Sequence, residues 1–441
     1  MSRPKKISPA RRRKVIDALG RGTVPERDLD LFAVGMERFA RLDEELAAVT
    51  RGGWKFKAVQ GEYGSGKTFF SRWLAQRARD KNMASSEVQI SQDVPLHKLN
   101  VIYQRLIKNL TIAETSEGAF RALVEDWLLN LEDEVCAAEG LDPADRDRVE
   151  AAVNKRIDVR LKEVADSAPS LATALRAYRK ARMAGDSGTA MQLLSWVSGD
   201  EHVAASVKRQ AGLKGEVNAD TAFGFLRGLL IILRDCGHTG LLLVLDELET
   251  IQRLRADVRD KSLGALRHLI DEIDRGSFPG LFLLITGTPA FFTGPTGVPQ
   301  LPPLAQRLDV DFDTDPRFDS MQSHRLRLTG FDLDKLVELG RRVRDLYAEG
   351  EPQARERINQ LVDDAYIKDL ATSVAGKLGV GTSPRVFLRS LVSDVLFKVA
   401  EHPDFNPRVH YARHRLDNLT IEEQNALQGT ASSAGDIDID L

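Results

Sequence analysis

Cysteine is almost missing from this chain: Cys136 and Cys236 are the only two in 441 residues, and they lie far apart, outside any metal-ligand spacing. That excludes a disulfide framework or a zinc cluster as the basis of the fold and fits a reducing, cytoplasmic setting. No apolar run approaches the roughly 18 residues needed to cross a bilayer, so no membrane partner is expected. The basic N-terminus is not followed by an apolar segment, which argues against a secretory signal. There is also no large excess of one charge, and a net charge of −3 excludes a cationic grip on nucleic acid by the chain as a whole.

What is present reads as a soluble globular protein of two or three domains, with 42% hydrophobic and 29% charged residues. Charge is unevenly placed. Arg3, Lys5, Lys6, Arg11, Arg12, Arg13 and Lys14 crowd the start with no acid among them, a candidate contact for DNA phosphates or a solvated arm. The last residues, GTASSAGDIDIDL, are small, polar and acidic, and read as a disordered tail.

Along the chain, RRRKVIDALGRGTVPERDLDLFAVGMERFARLDEELAAV predicts a short helix, a turn at Gly20–Pro25 and a second helix. Lys55–Gln60 predicts a strand, Thr68–Lys81 a helix, SSEVQIS a strand and LHKLNVIYQRLIKNL another helix. From Thr111 to Gly215 no strand is expected. Phe120, Leu123, Val124, Trp127, Leu128 and Leu131 share one helical face, and Val149, Val153, Ile157 and Leu161 another. LLLVLDELET and LFLLITGTP are continuous apolar runs of the kind found in the middle of a parallel sheet. HRLRLTGF is a candidate last strand, and three helices are expected from about Asp332 to Glu401. Strands alternating with helices predict a parallel α/β sheet, with the final helices as a separate bundle.

Gly61, Glu62, Tyr63, Gly64, Ser65, Gly66, Lys67 and Thr68 match G-x-x-x-x-G-K-[ST] in full between a predicted strand and a predicted helix. Glycines let the backbone curl so that its N–H groups point at phosphate oxygens, and the helix N-terminus adds to the anion site. Lys67 brings a compact charge to the β- and γ-phosphates, and the Thr68 hydroxyl suits Mg²⁺. By chance, such a match arises in roughly two chains per hundred of this length, and the strand-then-helix setting lowers that further. Phosphate binding is the reading, with Phe69 continuing the loop into the helix.

LLLVLDE supplies the complementary chemistry. A buried strand ending in Asp246 sets a carboxylate at the carboxyl edge of the sheet, where ligands bind in such folds. Asp246 suits Mg²⁺ through water, and Glu247 suits orientation and deprotonation of an attacking water. A kinase takes its nucleophile from the substrate and has no need of Glu247, so hydrolysis of ATP is expected.

In this order the motifs resemble the AAA+ ATPases, which implies an AAA+ P-loop NTPase core with a parallel five-stranded sheet, a large all-helical insertion and a C-terminal helical lid domain. The resemblance further implies a polar residue that senses the γ-phosphate at the end of LFLLITGTP, either Thr286 or Thr288, with Thr288 preferred because it precedes Pro289. It places a trans-acting arginine at Arg307 in PPLAQRLDV, for which an ordinary surface salt bridge is the rival. It also places a lid arginine at Arg385 in GTSPRVFLR, just inside a helix capped by Ser383 and Pro384. The run ALGRGTVPERDLDLFAVGMERF, GEYGSGKTFF, SQDVPLHKLNVIYQRL, LDELETI, GTPAFF more particularly resembles the BrxD-like ATP-binding proteins of BREX phage-defence islands, themselves similar to Orc/Cdc6 origin-recognition ATPases. On that resemblance Phe32, Val34 and Gly35 lie against adenine, although core packing explains Phe32 and Val34 equally well.

The expected division is a basic arm and helix (1–20), the first part of the α/β core (21–110), a helical insertion (111–217), the second part of the core (218–330), a lid (331–428) and the tail (429–441). The chain departs from the origin-recognition pattern in its long insertion and in having too few residues after the lid for a winged helix. HPDFNPRVHYARHRL is basic and aromatic, a candidate for stacking on a single strand. His410 and His414 have helical ligand spacing but no third partner, and read as surface histidines. The function expected is ATP hydrolysis on double- or single-stranded DNA, in a homo-oligomer with shared sites that loads or regulates a helicase partner. The alternative is a nucleotide-gated adaptor that turns over little.

Overall fold

The computed structural model describes residues 7–113, 115, 117–374 and 383–411, which fall into two compact units. One holds the N-terminal residues to Arg41, Val59–Gln76 and everything from Asp311; the other holds Leu42–Ala58 and Arg77–Val310.

Helix α1 (Pro9–Gly20) starts at Pro9, with Ser8 accepting from the Arg11 N–H as its cap. The segment after it is not the helix its periodicity predicts. It holds two 3₁₀ turns, Leu29–Leu31 and Glu37–Phe39, because Asp28 (φ 64°) and Gly35 (φ 73°) take the left-handed conformation that breaks an α-helix. Then come α2 (Leu42–Thr50), β1 (Lys55–Gln60), α3 (Lys67–Arg79), β2 (Ala84–Gln89) and α4 (Leu99–Lys108). Six helices follow: α5 (Ala119–Glu139), α6 (Arg146–Arg160), α7 (Pro169–Met183), α8 (Ser187–Val197), α9 (Ala205–Gln210) and α10 (Ala219–Asp235). The chain returns to the sheet with β3 (Leu241–Asp246), α11 (Ala256–Asp274), β4 (Leu281–Gly287), α12 (Pro289–Thr293) and α13 (Pro302–Leu308). Last come β5 (Arg325–Arg327), α14 (Leu333–Ala348), α15 (Arg355–Leu361), α16 (Asp364–Val374), α17 (Pro384–Arg389), α18 (Phe397–Glu401) and α19 (Pro407–His410). A π-helical stretch, Ser390–Leu396, joins α17 to α18.

The sheet is five-stranded, in the order β2-β3-β4-β1-β5. β2 and β3 pair in parallel from Ala84–Leu241 to Gln89–Asp246, and β3 and β4 from Leu241–Leu281 to Leu245–Ile285. Every residue of β3 and β4 is buried; each such Leu or Ile contributes about 1.5–3 kcal/mol, which is why both read as unbroken apolar runs. One hydrophobic core joins this sheet to α5–α10: Phe225 meets Tyr103 and Trp196 edge-on, both at 5.8 Å, and the Trp127 indole donates to Asp235 at 2.9 Å. Residues 111–217 carry fourteen Lys and Arg against nineteen Asp and Glu, so this helical stretch is net acidic.

In the N- and C-terminal unit, the Gln60 carbonyl accepts from the Leu328 N–H at 2.8 Å, carrying β5 alongside the end of β1. Asp30 accepts from Trp73 Nε1 and Gln76 Nε2, and Gln76 Oε1 accepts from the Leu29 N–H, tying the 3₁₀ segment to α3. Helix α1, which the sequence sets apart as an arm, packs among α14, α17 and the π-helical stretch. Ser393 Oγ donates to the Gly20 carbonyl at 2.8 Å, and Arg12 pairs with Glu349 at 2.9 Å. Arg11 pairs with Asp28, whereas Arg13 and Lys14 are exposed. Arg3, Lys5, Lys6 and the acidic tail lie outside the described residues. No described helix is long and apolar enough to cross a membrane.

Candidate functional site

β1 delivers the chain into the loop Gly61–Gly66, and α3 starts at Lys67. Gly64 (φ 77°) and Gly66 (φ 95°) adopt conformations closed to ordinary side chains. At Gly61 the constraint is space, since a β-carbon there would lie 2.3 Å from Ser65 Oγ. Ser65 Oγ is buried with no hydrogen-bond partner among the described residues, the mark of a group awaiting a ligand. The Lys67 ammonium donates to the carbonyls of Gly61 (2.9 Å) and Glu62 (3.3 Å) and lies 5.1 Å from the Tyr63 ring centre. This lysine is folded back over its own loop. A curled glycine backbone, a helix start, a buried hydroxyl and a lysine suit a polyphosphate.

Other predicted residues lie in the same unit as the loop. Phe32 is buried against Phe69, ring centres 5.6 Å apart, and Val34 is buried as well. A β-carbon at Gly35 would stand 3.7 Å from Lys335 Cε, and one at Gly66 3.9 Å from the Phe331 ring. Ser383 sits over Gly64, 3.4 Å from where its β-carbon would be, and Arg385 is exposed with its stem across Gly22.

In the other unit, Asp246 ends β3 and is buried. Thr286 Oγ1, on β4 and wholly buried, donates to Asp246 Oδ1. The same carboxylate oxygen accepts from the Glu247 N–H at 3.1 Å. Glu247 is one of three non-glycine residues with positive φ (61°) among those described, and such backbone strain gathers at functional positions. This turn carries the Glu247 side chain away from the core, where its Oε2 accepts from Gln89 Nε2 at 2.8 Å.

Of the two threonines, Thr286 is therefore committed to Asp246. Thr288 occupies the N-cap position of α12, buried and without a capping side-chain bond. Arg307, on α13, is paired with Asp271 at 2.7 Å and Asp274 at 3.0 Å on α11, and remains about two-fifths exposed. Sequence reasoning missed Gln89. Its signal was a polar residue at the end of a strand, and only the β2–β3 register shows that it faces the acidic pair. His410 Nδ1 accepts from the Asn406 N–H at 3.0 Å, His414 lies outside the described residues, and no cluster of three metal-ligating side chains occurs among those described.

No curated protein matches this chain. The family model described as BREX system ATP-binding protein BrxC/D matches it over residues 7–415.

Proposed function

Because the chain belongs to the family of BREX system ATP-binding proteins BrxC/D, we propose that it is an AAA+-type ATPase of anti-phage defence, related to Orc/Cdc6 ATPases. It binds ATP through Gly61–Thr68 and hydrolyses it with the help of Glu247. Lys67 turns from the Gly61 and Glu62 carbonyls to the β- and γ-phosphates, whose anionic oxygens attract its ammonium more strongly than neutral carbonyl oxygens do. Glu247 accepts the proton of the attacking water, while Thr288 and Arg385 meet the γ-phosphate. Thr68 and Asp246 are the residues that would hold Mg²⁺, which supplies charge neutralisation between the phosphates. Arg307 serves the site of a neighbouring copy, and the assembly acts on double- or single-stranded DNA to load or regulate a helicase partner.

The observation that carries hydrolysis is Glu247. An acid directly after a buried strand, on strained backbone, is costly to keep unless it acts on something. ATP turnover with magnesium, with and without duplex DNA, tests this. Glu247→Gln is expected to lose turnover by about a hundredfold or more while still binding ATP. Binding that disappears together with turnover contradicts it.

A second reading, the nucleotide-gated adaptor, is favoured by one observation: in the single chain Glu247 is tied to Gln89 and Arg307 to Asp271 and Asp274, a resting arrangement. The net acidic helical stretch also suits protein partners better than a phosphate backbone. On this reading Glu247→Gln keeps phage protection and Lys67→Ala abolishes it. Equal loss in both favours the ATPase.

A further inference from the structure

Helix α1 ends in Gly20-Arg21-Gly22, and both glycines are bare where the lid helices cross them. The turn is fixed by its own bonds: Gly22 N–H to Leu19 O and Thr23 N–H to Ala18 O, each 2.9 Å, with Thr23 Oγ1 also donating to Ala18 O at 3.0 Å. A β-carbon at Gly20 would lie 2.9 Å from Ser393 Oγ and 3.2 Å from Val392 Cγ1. At Gly22 (φ 69°), a β-carbon would lie 3.0 Å from Arg385 Cγ and 3.3 Å from Arg385 Nε. Thus the arginine stem rests on the naked α-carbon of Gly22, and Ser393, further on in the π-helical stretch, is bonded to the Gly20 carbonyl. π-Helical segments of this kind recur at functional positions.

We propose that the Gly20–Gly22 turn is a positioning element for Arg385, setting how far the guanidinium reaches and so how strongly the protein prefers ATP to ADP. The N-terminal helix is then part of the nucleotide-sensing apparatus and no loose arm. This rests on the reading of Arg385 as a γ-phosphate contact. A glycine after a helix has a simpler explanation, since the left-handed C-cap alone favours it. The two explanations part at one substitution. Asparagine tolerates left-handed backbone, so Gly22→Asn satisfies the cap while filling the space under Arg385.

The test is calorimetric binding of ADP and of a non-hydrolysable ATP analogue, with magnesium, to the full chain. Arg385→Ala is expected to weaken the analogue by about tenfold, the worth of one charge-assisted contact, and ADP by less than about twofold. Gly22→Asn should do the same in kind, and the Gly22→Asn/Arg385→Ala double variant should be no worse than Arg385→Ala alone. Ser393→Ala, which leaves the turn's backbone untouched, should show a smaller loss of the same preference and decides the matter if Gly22→Asn does not fold. If Arg385→Ala keeps the preference, the reading of Arg385 fails, and the positioning role with it. If Arg385→Ala erases the preference while Gly22→Asn and Ser393→Ala retain it, the positioning role alone is overturned. Equal weakening of both nucleotides by Gly22→Asn, with a lowered melting temperature, also overturns it and leaves Gly22 a cap.

Discussion

Gln89 Nε2 donates to Glu247 Oε2 at 2.8 Å, joining two residues far apart in sequence but one step apart in the register of β2 and β3. The bond takes up one carboxylate oxygen and turns the side chain toward β2. That oxygen must leave Gln89 before it can accept a proton from an attacking water. Gln89→Ala is expected to raise basal ATP turnover roughly two- to fivefold, measured by phosphate release under saturating ATP. A fall in turnover means instead that Gln89 holds Glu247 in its working orientation.

Thr286 and Thr288 separate by burial and bonding. Thr286→Val removes the donor to buried Asp246 and should cost about 1–3 kcal/mol of stability, read as a lowered melting temperature. Thr288→Val breaks no capping side-chain bond, so its melting temperature should stay near that of the parent while its preference for an ATP analogue over ADP falls. The reverse pattern assigns phosphate sensing to Thr286.

Arg307 makes two partly exposed ion pairs, and such pairs contribute about 0–1 kcal/mol. Arg307→Ala should therefore leave the melting temperature almost unchanged. Its effect should appear in turnover measured against protein concentration: the parent's specific activity rises with concentration and the variant's stays low. Identical curves for the two mean that the ion pairs are all Arg307 does.

Asp363 accepts from the Tyr366 N–H at 2.7 Å and from Arg408 at 2.6 Å. The backbone donor first, and then the guanidinium, hold its carboxyl below the ordinary range. The lowered value means that stability from this group is present above the ordinary carboxylate range and is lost as pH falls through the folded-state value. Asp363→Ala should cost about 1 kcal/mol near neutral pH, and the gap in melting temperature should close in acid. A gap that stays constant as the pH falls through and below the carboxylate range assigns the cost to packing.

The legibility of the site follows how local its physics is. Gly61–Thr68 could be read because the left-handed glycines, the lysine and the helix start are contiguous. Asp246 and Glu247 could be read because β3 is buried on both faces and announces itself as an apolar run broken by acids. The partnership of Gln89 with Glu247 could not, since it depends on which strands are neighbours. Gly22 looked like a turn residue, and nothing near it in sequence says that the stem of Arg385 crosses it. The 3₁₀ segment after α1 has apolar spacing that suits a helix, whereas two left-handed residues and the bonds of Leu29 and Asp30 to Trp73 and Gln76 of α3 decide its path. β5, only three residues long, is held by a bond from Leu328 to Gln60 that no local pattern discloses. Between Asp332 and Glu401 the described residues form α14 to α18 with a π-helical stretch, more than the three helices expected.

The most direct test is titration of ATP with magnesium into the full chain and into Lys67→Ala. The full chain should give a saturable, single-site binding heat, and Lys67→Ala, which keeps the glycine loop but lacks its cation, should give at least about tenfold weaker binding. No heat from the parent, or the same affinity in both proteins, would mean that Gly61–Thr68 is not where this protein holds its nucleotide.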